Sequence, residues 1–455
     1  MSHTKEFARR RRRLLKTLTP GSVAILATSS VQLRNRDNEY PFRPDSDFFY
    51  LTGFPEPEAL LVLVPGRKEG EYLLFCRDKD PAMELWTGSR VGTLGAKEHY
   101  GANEAYPIAQ LDEVMLGLLE NRSRIYYTLG TNASWDERVL GWINQVRRKA
   151  RGGVQAPGEF IGLDQLIHEM RLRKSPSEIR LMEEAARITS EAHCRAMGVC
   201  RPGCYEYQLE AELLHTFIQR GARSPAYPSI VGGGSNACTL HYTTNDCLLQ
   251  DGDLVLIDAG CEYQGYAADI TRTFPVNGRF SDPQRRVYDW VLAAQQAAIA
   301  QVKSGKSWND PHEAAVKVLT QGLVELGLLT GKVKTLIKEE KYKRFYMHRT
   351  GHWLGMDVHD VGSYRSGDDW RLLEPGMVMT VEPGLYIPGG QEDIPQDYWD
   401  IGIRIEDDVL VTEGDPVILT GGVPKETSAI EALMAKSCLK GRKKVVKPAP
   451  PMADN

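Results

Sequence analysis

The sequence contains no apolar run near the ~20 residues needed to span a bilayer, which excludes a transmembrane helix. It lacks any Cys-x-x-Cys pair. Its eight cysteines (Cys76, Cys194, Cys200, Cys204, Cys238, Cys247, Cys261 and Cys438) are scattered, which excludes a thiolate zinc site. An excess of one charge is missing too, since a formal net charge of −4 over 455 residues provides no basic field for nucleic acid. The start, "MSHTKEFARRRRRLLKTL", is Arg-rich, but no apolar h-region follows, so it does not read as a secretory signal. These absences predict a cytoplasmic protein with reduced core thiols, in which the basic start is a solvated amphipathic helix.

The length suits two domains, each able to bury a sizeable core. Toward the N-terminus, short apolar strands ("SVAIL", "ALLVLVP", "EYLLFC", "RIYYTL") alternate with helical stretches such as "PIAQLDEVMLGLLENR", an α/β pattern. The Gly-rich stretch at 144–159, "NQVRRKARGGVQAPGE", reads as a connection. A new domain opens on a helix start, with Ser175 as N-cap, Pro176 at the first helical position and Glu178 completing a capping box. The same start recurs at Ser281, Pro283 and Gln284, with Gly305 expected to stop that helix, and a further helix follows from Asp310. The domains expected are therefore 1–172, 173–436 and a basic, Pro-rich tail at 437–455 without fixed structure.

Chemistry is concentrated in the second domain. "DGDLVLIDAGCEYQGYAADITRTFPV" reads as a β-hairpin, and a turn centred on Tyr263-Gln264 would set Asp258 directly opposite Asp269. Two buried carboxylates at that distance must share a proton or bind a cation. The alternative is a surface aspartate that merely caps the turn. Glu382 stands alone in the apolar strand "GMVMTVEPGLYIP". In "DIGIRIEDDVLV", alternation places Ile401, Ile403 and Ile405 on one face and Arg404 with Glu406 on the other, where the two could simply pair. Carboxylates joined by imidazole suit Mn²⁺, Co²⁺, Fe²⁺ or Zn²⁺ held for catalysis.

The stretch from His348 to Asp360, "HRTGHWLGMDVHD", carries three histidines, two at the i, i+4 spacing of a zinc helix. Gly351 and Gly355 disfavour a helix there, so His348, His352 and His359 are expected to have different tasks. His99, His168, His193, His215 and His312 are expected to be structural or surface residues.

Five positions in order, Asp258 in "LIDAG", Asp269 in "ADITRTF", His352 in "GHWLG", Glu382 in "TVEPGLY" and Glu406 in "GIRIED", resemble the pita-bread metallopeptidases. "RNRDNEYPFRPDSDFFYLTGFPEPEALLVL" (34–63) is similar to the amino-terminal region of the aminopeptidase P branch, so the resemblance covers nearly the whole chain. It implies an α/β (α+β) chain with an N-terminal α/β domain and a C-terminal pita-bread catalytic domain. The implied enzyme is a dinuclear-metal aminopeptidase that cleaves an N-terminal Xaa-Pro bond with a metal-bridging hydroxide. Two divalent ions, Mn²⁺ foremost, would be held by Asp258, Asp269, His352, Glu382 and Glu406, with Glu382 also the general base. His241, His348 and His359 would bind substrate and stabilise or protonate the intermediate, with Tyr386 and Arg404 behind them. Asp37 and Trp86 would lie near the substrate's amino end, Asp37 from a neighbouring subunit's chain in a homo-oligomer, a tetramer in many relatives. Substrates would be peptides with proline second, with neither nucleic acid nor membrane as partner. A prolidase, an organophosphate-hydrolysing relative, or a metal-free pita-bread protein used for binding or creatinase-like catalysis are the alternatives. Arg349 departs from the pattern, which has a small residue after the first histidine.

Overall fold

The computed structural model describes residues 3–440, with side chains over 5–436. Two compact units divide between Arg171 and Leu172. The first is built on a six-stranded mixed sheet of β1 (Ser22–Ala27), β2 (Leu60–Leu63), β3 (Tyr72–Cys76), β4 (Glu104–Pro107), β5 (Arg124–Tyr126) and β6 (Glu159–Ile161), in the order β4-β3-β2-β1-β5-β6. β2 and β3 are buried throughout, which is why they read as continuous apolar runs rather than alternating ones.

Two expectations fail in this unit. The stretch 144–159 is no connection between domains. The helix Ala133–Arg147 runs into a short 3₁₀ turn, Gly153 at φ 84° reverses the chain, and β6 returns to pair in parallel with β5. Nor is the whole basic start solvated. Within the helix His3–Leu15, Arg10 and Arg11 are buried, stacked 4.0 Å over the rings of Tyr50 and Tyr72. Arg11 also donates to the carbonyl of Leu51 at 2.7 Å. The aromatic faces and helix-end carbonyls replace the water that such charges otherwise require.

The second unit pairs the helix Pro176–Val199 with Glu206–Gln219, and Asp282–Ile299 with Asp310–Glu325. Both expected capping boxes are present, at Ser175/Glu178 and Ser281/Gln284. The helix opened by Ser281 ends at Ile299, before Gly305. The helix Thr427–Lys440 takes in the start of the predicted tail, and the rest of that tail lies outside the described residues. β7 (Ile230–Gly233), β8 (Leu254–Asp258) and β9 (Thr271–Pro275) form one antiparallel sheet. β10 (Val378–Val381) pairs with β13 (Asp407–Leu410), and β11 (Gly384–Ile387) with β12 (Ile401–Arg404). Pro383 has no N–H for the ladder, so this strand pair breaks at Glu382-Pro383, opposite Ile405-Glu406. Both glutamates sit at the break.

The hairpin register differs from the expected one. Gln264 (φ 50°) and Gly265 (φ 82°) form its centre, so Tyr263 faces Tyr266 and Asp258 faces Thr271, not Asp269. Two adjacent residues with positive φ make the turn whose twist suits a hairpin, and Gly265 is the residue that permits it. Asp269 lies two residues before Thr271, hence on the same face as Thr271 and diagonal to Asp258.

Among the described cysteines none is disulfide-bonded; Cys76, Cys200, Cys204 and Cys261 are buried, whereas Cys247 is exposed and does not fit the expected core thiol. No helix among the described residues is long and apolar enough to cross a membrane.

Candidate metal centre and active site

A cavity of about 800 Å³ opens in the second unit. Asp258, Asp269, His352, Glu382 and Glu406 all line it, together with His241, His348, His359 and Arg404. The carboxylates reach it from the end of β8, the approach to β9 and the break between β10 and β11. His352 is carried by an irregular segment that runs beside β10: Thr380 N–H donates to His352 O at 3.0 Å and Glu382 N–H to Thr350 O at 2.8 Å. No helix forms from His348 to Asp360, in agreement with the two glycines.

The carboxylates are close enough to disturb one another. Tyr227 donates to Asp258 at 2.7 Å and is also hydrogen-bonded to Asp269. Asp269, His352 and Glu406 offer ligand atoms within 4.8 Å of one another. Burial and the neighbouring negative charges hold Glu406 well above, and Asp269 above, the usual carboxylate range, and move Glu382 up to about 7. Asp258 is the exception. Burial opposes its charge, but Arg404 at 2.7 Å keeps its carboxyl below the ordinary value. Burial alone would lower His352, yet the hydrogen bond it donates to Asp269 and the charge of Glu382 raise it to about 9. Such a set is stable only with added protons or with a cation in their place. Its oxygen-rich composition with one imidazole fits a divalent ion.

Neighbouring groups orient these side chains. His352 Nδ1 lies 3.0 Å from the carbonyl of Trp353, which assigns the proton to Nδ1 and leaves Nε2 facing Asp269 and Glu382 at 3.4 and 3.7 Å. Thr271 donates to Glu406 at 2.6 Å, and Thr380 accepts from His352 N–H at 3.0 Å. Arg404 donates to the Tyr386 hydroxyl at 2.8 Å, which in turn lies 2.9 Å from His348 Nε2. Tyr386 is fully buried behind the cavity. Burial and the charge of Arg404 push His348 down to about 3, so its ring is neutral. His359 stands edge-on to His352, with ring centroids 4.3 Å apart. Arg404 pairs with Asp258 rather than with Glu406.

Asp37 and Trp86 belong to the first unit, where both are exposed, and neither is among the residues lining the cavity. Histidines expected to be structural are engaged elsewhere: His193 lies 2.9 Å from the carbonyl of Ala259, His168 3.1 Å from Asp47 and His312 2.8 Å from Thr350. Sequence reasoning missed Tyr227, Thr271 and Thr380. The two threonines lie two residues from Asp269 and Glu382, on the same face, a signal that strand alternation carries. Tyr227 follows a loop and left no such signal. Also missed was a second group of possible ligands, Glu206, Asp246 and Cys247. Glu206 already accepts from Gly233 N–H (2.7 Å), Tyr242 (2.8 Å), Cys247 N–H (2.9 Å) and Asn236 (3.0 Å). Those four bonds fill a carboxylate's acceptor sites and make it a loop anchor.

The two-unit architecture and this acid-rich cavity define a metallohydrolase. Residues 180–413 match the model of metallopeptidase family M24 and residues 7–126 that of the aminopeptidase P N-terminal domain. The chain belongs to metallopeptidase family M24, and it is a metal-dependent aminopeptidase that uses divalent metal. It is 46% identical over 431 residues to the Xaa-Pro aminopeptidase of Escherichia coli strain K12, covering 94% of this chain and 97% of the relative. Xaa-Pro aminopeptidase 3 of Homo sapiens is 35% identical over 447 residues, covering 95% and 86%. The solved structure of Pseudomonas aeruginosa aminopeptidase PepP superposes with a TM-score of 0.95 at 56% identity, covering 96% of this chain and 99% of that one.

Proposed function

We propose that the enzyme releases the N-terminal residue of peptides in which proline stands second, using two divalent ions, Mn²⁺ foremost. The convergence of Asp258, Asp269, His352, Glu382 and Glu406 on one cavity carries this reading. Asp269 and Glu406 would help to hold both ions, Asp258 one of them, and His352 and Glu382 the other. When bound, divalent ions polarise the scissile carbonyl and supply a hydroxide near neutral pH.

The chain's own residues do the rest. Glu382, on the cavity wall, is suited to take a proton from water and return it to the leaving nitrogen. That nitrogen belongs to proline, whose amide has no N–H of its own. His241 and His359, on the cavity wall, flank the substrate. Neutral His348, held between the Arg349 carbonyl and the Tyr386 hydroxyl that Arg404 aligns, serves as a fixed wall of the substrate site rather than as a proton donor. The same reading gives a cytoplasmic homo-oligomer, with exposed Asp37 and Trp86 near the substrate's amino end.

The test is hydrolysis by Mn²⁺-loaded protein of an Xaa-Pro-Xaa tripeptide beside an Xaa-Pro dipeptide. Cleavage of the tripeptide, lost in chelator and in Glu382→Gln by at least about 100-fold in kcat, is the expected result. An intact tripeptide, or turnover indifferent to chelator, overturns the proposal; turnover of the dipeptide alone assigns a prolidase.

A further inference from the structure

The floor of the cavity is strongly acidic, but one side of it carries the opposite charge. Arg349 lines the cavity next to His348, with its guanidinium 5.0 Å from the centroid of the Trp370 ring. Arg365 lies over the same ring at 4.0 Å. Both residues are exposed, and the hydrogen bonds of their guanidinium groups among the described residues go to neutral oxygens. Arg349 donates through Nη2 to Asn309 Oδ1 at 2.5 Å, and Asn309 passes its own N–H on to Glu313 at 2.7 Å. Arg365 donates through Nη1 to the carbonyl of Asp368 at 2.8 Å. Each side chain is thus held in place by an aromatic face and one hydrogen bond, leaving most of its five N–H donors unused.

Two guanidinium groups beside one indole repel each other, and cation–π attraction to the ring does not remove that repulsion. An anion bound at Arg349 does. A planar carboxylate is the anion whose shape matches a guanidinium fork. A short peptide ends in such a carboxylate, a few residues beyond its reacting bond. The reacting end of a bound peptide belongs over the floor, at Asp258, Asp269, Glu382 and Glu406. The side marked by Trp370 favours the carboxylate.

We propose that Arg349, supported by Arg365 through Trp370, binds the C-terminal carboxylate of a short peptide substrate and makes the enzyme selective for short peptides over long ones. This inference rests on the aminopeptidase reading. Arg349 acts here as a specificity-determining residue, which a sequence pattern with a small residue at this position would lack.

The experiment compares a tripeptide Xaa-Pro-Xaa with its C-terminal amide on the Mn²⁺-loaded protein, as wild type, Arg349→Ser and Arg349→Lys. In wild type the free acid is expected to have a KM about tenfold below that of the amide, the size of one charge-assisted hydrogen-bonded pair. R349S is expected to raise KM for the acid to the amide's value with kcat within about twofold, leave the amide unchanged, and be partly rescued by R349K. Equal KM for acid and amide in wild type overturns the inference and leaves the aminopeptidase reading standing. So does an R349S effect of the same size on both substrates, which is what a merely structural role would give. Failure to cleave either tripeptide overturns both.

Discussion

Tyr227 places one hydroxyl between two carboxylates that would otherwise repel each other, and it does so from a loop. Its burial and the surrounding acids hold the phenol protonated, well above its ordinary range. Tyr227→Phe removes the bond that aligns Asp258 with Asp269 and is expected to weaken Mn²⁺ affinity about 10- to 100-fold, as loss of an outer-shell partner does. Titration calorimetry reads this directly, and unchanged affinity would reject the alignment role. Gly351 is placed where a Cβ would come within 2.0 Å of the Thr380 carbonyl. Gly351→Ala therefore pushes the His352 segment off β10. A displacement near 1 Å costs on the order of 100-fold in kcat/KM, to be measured on the tripeptide. At this scale the sequence was informative about residue types. The glycines that argued against a helix do lie outside one, and His352 and His348 make different contacts. That Gly351 touches Thr380, far along the chain, could not be read, because close approach of two distant backbones leaves no local pattern.

Strand elements bring the carboxylates together, and beneath them lies a second charged network. Arg272 and Asp407, both fully buried, pair at 2.7 Å, and Asp407 also accepts from Lys425 (2.7 Å), Gln295 (2.7 Å) and Thr420 (2.8 Å). Arg272 donates to the Glu406 carbonyl at 2.5 Å, so the network fixes the backbone at the strand break. Asp407→Asn leaves Arg272 and Lys425 without a counter-charge and is expected to cost about 3–5 kcal/mol in denaturant unfolding. Burial opposes the Asp407 charge, but Arg272 and Lys425 hold its carboxyl below the ordinary range. Its contribution is thus fully present above the ordinary aspartate value, near about 4, and is lost as pH falls through the depressed folded value. The gap between wild type and D407N should accordingly narrow below about pH 4. Alternation on "GIRIEDD" sorted Glu406 from Ile405 correctly, and the same alternation turns Asp407 to the opposite face. The hairpin pairing was misread by two residues because the turn was placed on Tyr263-Gln264 instead of Gln264-Gly265. A shift of two keeps every side chain on its face, so both aspartates still reached the cavity.

For the molecule as a whole, all five candidate ligands lie in the second unit, so metal removal should act on that unit's unfolding. A ligand that binds only the folded state stabilises it by mass action. Chelation is therefore expected to lower the second unit's calorimetric transition, and a transition indifferent to chelator would contradict the metal centre. The metal-free protein should also depend on pH in a defined direction. Burial first, with the charges of Asp269 and Asp258 adding to it, lifts folded Glu382 to about 7, above an ordinary value near about 4.3. Its favourable contribution is present below the ordinary value and is lost as pH rises through about 7, the folded value. Metal-free protein should lose thermal stability between about pH 4 and about pH 7 more steeply than the Mn²⁺-loaded form, because a cation replaces the proton.

The helix starts at Ser175 and Ser281 and the alternating strands were determined by the sequence alone, since each is a local pattern of a few neighbouring residues, whereas the ordered set Asp258, Asp269, His352, Glu382 and Glu406 was legible only through its resemblance to the pita-bread metallopeptidases. The tertiary structure decided what depends on distant segments meeting. It set the Gln264-Gly265 turn that placed Asp258 opposite Thr271, and the return of 144–159 to the first sheet. It buried Arg10 and Arg11 on aromatic rings and tied Arg404 to Asp258. A charge finds its partner through space, and space is shared by residues that the chain keeps far apart.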